Sequence, residues 1–281
     1  MTRAGENEAK GSDSNDKIQR SAMPSVDKAL RALLVLAEAG PEGMPLIEVA
    51  KKLGLNRSSL HVTLGALRFR DFVAQSPITG YYRLGSAVGY LSQSYLNSLD
   101  IRLTLRPAIL RLADQINEVC HIAVLEGQEI LYIEKIESRR AIQPGTRVGM
   151  RLPALTTAMG RAMVAYECPT FESFKIRFKN ALTPRTKNAP KTLEEEWSRI
   201  VDARRMGFGV DNEENVEGLT AVAVAVLDDA RPIAAVSAVS LASDKPDLQE
   251  QARLIRKALK PVLVKPLHLP MPEDLPASSG P

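Results

Sequence analysis

The stretch Leu46-Ile47-Glu48-Val49-Ala50-Lys51-Lys52-Leu53-Gly54-Leu55-Asn56-Arg57-Ser58-Ser59-Leu60-His61-Val62 decides how the first third of the chain folds. Ile47, Ala50 and Leu53 recur at helical spacing, which predicts a short helix over Leu46 to Leu53 with one apolar face. Gly54 stops it, because glycine enters the left-handed conformation of a helix exit without steric cost. Asn56 stands where a side-chain oxygen caps the next helix. That helix is predicted to run to about Arg70, with Leu60, Leu64 and Leu67 facing inward. Two helices joined by a short glycine-containing turn have the plan of a helix-turn-helix.

Toward the N-terminus, a first helix opens near Ser25, with Val26, Leu30, Leu33, Leu34 and Ala37 at helical spacing, and Gly40-Pro41 ends it. Toward the C-terminus, Phe72 to Gln75 and Tyr81 to Leu84 flank Ser76-Pro77-Ile78-Thr79-Gly80, a hairpin with turn residues at its centre. A hairpin directly after a helix-turn-helix is a wing. Residues 24–85 therefore read as a winged helix-turn-helix, preceded by a polar tail over 1–23 that is expected to be disordered. Between Pro24 and Gly85 eight basic residues (Lys28, Arg31, Lys51, Lys52, Arg57, Arg68, Arg70, Arg83) stand against five acidic ones (Asp27, Glu38, Glu42, Glu48, Asp71). Most of the formal charge of +4 thus belongs to this part.

Removing the inward stripe from the third helix leaves Arg57, Ser58, Ser59, His61, Val62 and Gly65 on its outer face. Arginine reads guanine with two hydrogen bonds, serine and histidine reach phosphates or base edges, and valine meets a thymine methyl. The small side chains of Ser58, Ser59 and Gly65 would let the helix sit deep in a major groove. Lys51, Lys52 and Arg83 would add phosphate contacts, which position a protein without reading sequence. A solvated helix face carries the same residue types, and His61 reads equally as a surface residue. A protein-interaction module built on the same three helices and hairpin remains the alternative.

Residues 86–100 read as a connecting helix, over about Ser86 to Leu99, with Val88, Leu91, Tyr95 and Leu99 at helical spacing. That stripe suits either a dimer contact or a core-facing side. Residues 101–264 mix helices and strands. A helix covers Ile101 to Asn117, and a hairpin turns at Glu126-Gly127-Gln128-Glu129. A strand is predicted near Thr146 to Leu152 and a helix from about Thr156. Thr192 with Glu195 forms a capping-box pattern before a helix that ends at Gly207. Two β-branched or Ala-rich runs, Leu219 to Leu227 and Pro232 to Leu241, turn at Asp228-Asp229, and a last helix spans Leu248 to Val264. The pattern predicts an α+β domain with a central antiparallel sheet. Residues 265–281, rich in proline, read as a second tail.

With 281 residues and 44% hydrophobic side chains, the chain is long enough for two packed domains and too apolar for global disorder. It has no apolar run of membrane-spanning length and no signal-peptide pattern, so a cytoplasmic location with no membrane partner is expected. Cys120 and Cys168 are too few for a disulfide framework. His61, His121 and His268 lack metal-ligand spacing, and neither metal nor cofactor is expected.

Several blocks together resemble the IclR family. In the first domain they are Ser25 to Leu30, Ile47 to Leu55, Arg57 to His61 and Tyr82 to Gly85. They continue with Leu105-Arg106-Pro107, Leu131 to Ile136, Arg147 to Pro153, Thr157 to Ala162, Arg204 to Phe208 and Asp211 to Glu214 followed by Gly218. Each block is weak alone; their order over residues 25–260 is specific. The resemblance implies a winged helix-turn-helix, a linker helix and a C-terminal effector-binding domain related to the GAF and profilin-like folds. It implies a transcriptional regulator that binds double-stranded DNA at a palindromic operator as a homodimer or tetramer. A small effector, commonly an organic or aromatic acid, would bind a pocket to which Thr157, Ala158, Met159, Gly160, Asp211, Leu219 and Ser237 correspond.

The chain departs from the family at Val62, where an arginine often follows the aromatic or histidine position, which bears on the operator sequence. It also has Leu155, Ala221 and Val239 where polar or aromatic side chains, a cysteine and a second serine are frequent. These three remove hydrogen-bonding groups from the implied pocket, which then suits a larger, partly apolar ligand such as an aromatic acid. The alternative is that backbone amides near Ala158 and Gly160 hold the anion. Catalysis is not expected: adjacent Cys120 and His121 on a strand point to opposite faces and cannot act as nucleophile and base. Asp211, Glu213 and Glu214 read as a solvated acidic turn, with a metal cluster as the lesser alternative.

Overall fold

A computed structural model describes residues 23–97, 100–140 and 144–271. Residues 1–22, Leu99 of the predicted helical stripe and residues 272–281 lie outside them. The described chain divides between Ser94 and Tyr95 into two compact units. No helix among the described residues is long and apolar enough to cross a membrane.

In the first unit α1 (Pro24–Glu38), α2 (Leu46–Leu53) and α3 (Arg57–Phe69) pack on a hairpin of β1 (Val73–Gln75) and β2 (Tyr82–Leu84). Gly54 ends α2 at φ 66°, and Asn56 caps α3 by accepting a hydrogen bond from the Ser59 amide at 2.8 Å. Met44 exchanges backbone hydrogen bonds with Tyr82, which lays the α1–α2 connection beside the hairpin. The core gathers Ala32, Leu36, Val49, Ala50, Leu53, Leu60, Leu64, Val73 and Tyr82.

One helix face is turned from its predicted orientation, and a second is shifted. α1 buries Ala32 and Leu36, while Val26, Leu30 and Leu34 are exposed. α2 buries Ala50 and Leu53 as expected, but Val49 takes the place of Ile47, which is exposed. Both helices carry aliphatic residues on more than one side, so periodicity alone leaves the choice of face to the neighbours.

The second unit is built on an antiparallel sheet ordered β5-β4-β3-β8-β7-β6. Its strands are β3 (Val119–Glu126), β4 (Glu129–Ile136), β5 (Arg151–Pro153), β6 (Gly209–Asn212), β7 (Leu219–Asp228) and β8 (Arg231–Leu241). α4 (Ser86–Asn97) spans the boundary between the units, and α5 (Asp100–Ile116) leads into the sheet. One face packs on α5 and α9 (Leu248–Leu259), the other on α6 (Ala158–Glu167), α7 (Phe171–Phe178) and α8 (Leu193–Met206).

The alternation of β7 sets these layers. Val222, Val224 and Val226 fill the α5/α9 side, and Ala221, Ala223 and Ala225 face α6. Side chains on a strand alternate between its faces, so a run of alanines every second residue lets a helix approach closely. A Cβ on Gly209 would stand 2.2 Å from the Ala158 carbonyl oxygen, so the α6–β6 approach admits only glycine there. On the other face, Glu134 of β4 accepts from Arg102 at 2.9 Å and Arg106 at 3.0 Å, fixing α5.

Other expectations change in detail. The strand predicted over Thr146 to Leu152 is only Arg151–Pro153, because the chain turns at Gly149, whose amide donates to the Tyr132 carbonyl at 2.7 Å. α7 and β6 were not foreseen. The Thr192 hydroxyl accepts from the Glu195 amide, but the Glu195 carboxylate takes the Lys191 amide, so half of the capping box forms. Within the expected C-terminal tail, Leu267–His268 forms a short β9 paired with β7.

Candidate functional site

Two places in the chain carry candidate chemistry. On α3, Arg57, Ser58, His61 and Val62 are exposed, Val62 at 72% of its surface. Their spacing places them along one side of the helix. Ser59 is half-buried, and its hydroxyl accepts from Lys28 Nζ at 2.6 Å, which ties α3 to α1. Lys52 pairs with Glu38 at 3.3 Å. Arg57, Lys51 and Arg83 are exposed and have no ion-pair partner among the described residues. Arg68 donates to Gln75 Oε1 at 2.6 Å and fixes the hairpin against the helix. The surface also holds residues not singled out from sequence. Ala66 and Phe69 continue the exposed side of α3, and Ile78 is 93% exposed at the hairpin tip. Their signal was available, since both helix positions lie off the Leu60-Leu64-Leu67 stripe.

In the second unit a cavity of about 520 Å³ opens between the sheet, the start of α6 and the loop before β7. That volume lies within the range of small-molecule sites. Of the residues expected there, Thr157, Ala158, Met159, Asp211, Leu219, Ala221, Ser237 and Val239 line it. Leu155 and Gly160 do not. Leu155 is buried in the core, and its carbonyl accepts from Arg161. Gly160 packs on Ala154, and its amide donates to the Thr157 hydroxyl at 3.0 Å, which caps α6. The amides of Ala158 and Met159, ahead of it in the first turn, have no acceptor among the described residues. A helix N-terminus with free amides favours an anion.

His121, Tyr132, Thr146, Arg185 and Asn215 also line the cavity, and sequence reasoning missed them. His121 sits opposite Ser237 in the β3–β8 register and meets the Tyr132 ring edge-on at 4.9 Å between centroids. Its Nε2 shares a 2.7 Å hydrogen bond with the Thr146 hydroxyl. Burial, aided by the Lys135 charge, pushes the His121 pKa down to about 3, so the ring is neutral at physiological pH. Cys120 packs on the opposite face among the α5/α9 residues, as alternation required. Burial raises its thiol to about 12, and the Glu118 charge adds to this.

The acidic segment is not solvated, contrary to expectation. Asp211 and Glu214 are buried. Asp211 Oδ1 accepts from the amides of Glu214 at 2.9 Å and Asn215 at 3.2 Å. Burial outweighs these bonds and the Arg161 charge, pushing its pKa up to about 6. Glu214 pairs with Arg161, which also grips Glu196 through Nε at 2.8 Å and Nη2 at 2.7 Å. The same guanidinium donates to the carbonyls of Leu155 and Val210. One buried cation thereby joins the turn before α6, α8 and β6, and of these elements α6 and β6 contribute Ala158, Met159 and Asp211 to the cavity wall.

The sequence carries both halves of this arrangement as known domains. Residues 25–77 match the IclR helix-turn-helix domain, and residues 93–262 match the bacterial transcriptional regulator IclR C-terminal domain. The chain belongs to the IclR family of transcriptional regulators. This IclR-family protein is 32% identical over 228 residues to the HTH-type transcriptional regulator XynR of Escherichia coli, covering 80% of this chain and 89% of that one. It is 27% identical to the DNA-binding transcriptional repressor YiaJ of Escherichia coli, covering 79% and 80%.

Among solved structures, the IclR regulator of Alicyclobacillus acidocaldarius shares the fold at a TM-score of 0.74 and 24% identity, covering 86% of this chain and 96% of its own. An IclR homologue of Microbacterium hydrocarbonoxydans, complexed with 4-hydroxybenzoate, matches at a TM-score of 0.74 and 20% identity, covering 85% and 97%. At these identities the structures establish the fold of this IclR-family protein, an α+β chain with a winged helix-turn-helix before its effector domain.

Proposed function

We propose that this protein binds a specific, near-palindromic operator through the exposed face of α3 and releases or grips it according to a small organic acid, of aromatic type, held in the second unit. The observation that carries the DNA half is the set Arg57, Ser58, His61 and Val62, exposed together on a capped helix. The effector half is supported by the cavity with its free α6 amides and apolar walls, and by the relative complexed with 4-hydroxybenzoate. We assign DNA binding to residues 24–85, the connection to 86–100 and effector binding to 101–264, with a regulatory rather than catalytic role in the cytoplasm.

Two copies are needed to read a palindrome, with half-sites about one helical turn apart or a multiple of it. Leu91 is exposed on α4 and is our candidate for the contact between copies, together with Tyr95. A ligand that shifts the pairing of copies changes the spacing of the two α3 helices, which couples the cavity to operator affinity.

The test is a gel-shift titration on the DNA upstream of the protein's own gene. Arg57→Ala is expected to weaken specific binding roughly 5- to 150-fold, the worth of one bidentate base contact. Wild-type binding should fall steeply with salt. Equal binding to unrelated duplexes at low salt, or none, would favour the protein-interaction reading.

Gly65→Ala separates folding from function. A Cβ at Gly65 meets nothing within 4 Å. In a helix interior alanine exceeds glycine by about 1 kcal/mol, so the first unit should gain that much stability. The added methyl lies on the groove-facing side, and operator affinity should drop at least about threefold, since even a slight misfit in a major groove loses base contacts. Stabilisation with unchanged affinity would remove Gly65 from the interface.

A further inference from the structure

His121 Nδ1 and Ser237 Oγ are buried polar atoms with no hydrogen-bond partner among the described residues. Each residue is 1% exposed, and both line the cavity. They belong to neighbouring strands and face each other in register, so their side chains leave the sheet side by side. The Asn215 side-chain oxygen, also lining the cavity, is likewise without a partner. Buried polar atoms are nearly always paired, and a group of them around one space marks where a ligand or an ordered water completes the set.

The chemistry at this spot is neutral. His121 stays uncharged because it is buried and lies near Lys135. Its other nitrogen is already engaged by Thr146 at 2.7 Å. Ser237 offers one hydroxyl. A carboxylate pressed here would be buried against two neutral groups, at a large desolvation cost. A hydroxyl suits the pair in either histidine tautomer, since it donates to one atom and accepts from the other. The free amides of Ala158 and Met159 and the Arg185 side chain offer the anion a separate place. Apolar walls at Met159, Ala221 and Val239 lie in the same cavity.

We propose that the effector is a hydroxylated organic acid whose hydroxyl is read by His121 and Ser237. This rests on the reading of the cavity as an organic-acid site. Neither His121 nor the pairing of the two residues is implied by the family blocks in the sequence. Ser237 and His121 therefore set specificity, and the rest of the wall sets size.

The experiment compares matched acids with and without a hydroxyl on the full-length protein: 4-hydroxybenzoate against benzoate, and 3-(4-hydroxyphenyl)propionate against 3-phenylpropionate. Affinities are measured by calorimetry. At least one hydroxylated acid is expected to bind at least about 10-fold more tightly than its partner, because a site built around a hydroxyl rejects the analogue lacking it. Ser237→Ala should bring that ratio toward one, and it should not lower the thermal midpoint of the ligand-free protein, since it removes an unpaired buried group. His121→Phe should lower the same ratio. Equal binding of both members of each pair, or a ratio that survives both substitutions, overturns the proposal alone. Binding by none of the four acids overturns the aromatic-acid reading and the proposal with it.

Discussion

Arg161→Met is expected to cost the second unit about 3–5 kcal/mol, because it removes the cation from between two buried carboxylates. Arg161 is 1% exposed, Glu196 fully buried and Glu214 3% exposed. Methionine matches much of the arginine's length, so the loss is electrostatic rather than a cavity. Burial already pushes the Glu196 carboxyl upward in pKa against the pull of Arg161, and without that cation the carboxyl would take up a proton or draw in water. The carbonyls of Leu155 and Val210 lose their donor in the same step.

At about 2–4 °C per kcal/mol for a domain of this size, the thermal midpoint should fall on the order of 10 °C. The double variant Arg161→Met with Glu196→Met should recover part of this. A buried ion pair replaced by apolar groups of similar volume is often neutral, and Glu214 keeps Arg199 at 3.4 Å. A single-variant loss below about 1 kcal/mol, measured by denaturant unfolding, would show that the network is not what holds α6, α8 and β6 together.

Gly160→Ala is expected to cost about 3 kcal/mol or more, at the upper end for overpacking. A Cβ there would stand 2.0 Å from the Ala154 carbonyl oxygen and 2.5 Å from its carbon. Both are backbone atoms of the 3-10 turn Ala154–Thr156, so no side chain can swing aside. Relief requires parting that turn from α6, which also moves Thr157 and Met159 in the cavity wall. The contrast with Gly65→Ala is the control. The same substitution on a helix should stabilise where the space is open and destabilise where backbone fills it. Unfolding curves for the two variants that shift in the same direction would contradict this account of α6 packing.

Much of the first unit was legible because its signals are local. Gly54, Asn56 and the Leu60-Leu64 stripe each act within a few residues, and all three do in the fold what their chemistry dictates. The hairpin at Glu126 to Glu129 is equally local. The apolar face of α1 was misread because Leu33, Leu34 and Leu36 offer several stripes of similar strength. The core selects the one with Ala32, whose small side chain permits close approach to the neighbouring helices.

The cavity was legible in part. Eight of the ten expected residues line it. Leu155 and Gly160 adjoin it in sequence but are turned into the packing beneath. His121 looked like one more strand residue, and its partner Ser237 lies 116 positions away, on a strand that only the sheet order brings alongside.

The sequence by itself determined the winged helix-turn-helix, the antiparallel sheet and the family, since caps, turns and periodicity are written over short spans. The tertiary structure alone decided which face of α1 is buried, where Arg161 finds its counter-charges, and which polar atoms are left unpaired around the cavity. Burial and partnership are properties of neighbours in space: β6 lies beside β7 and β3 beside β8, and no local pattern of residues specifies which strand a given side chain will face.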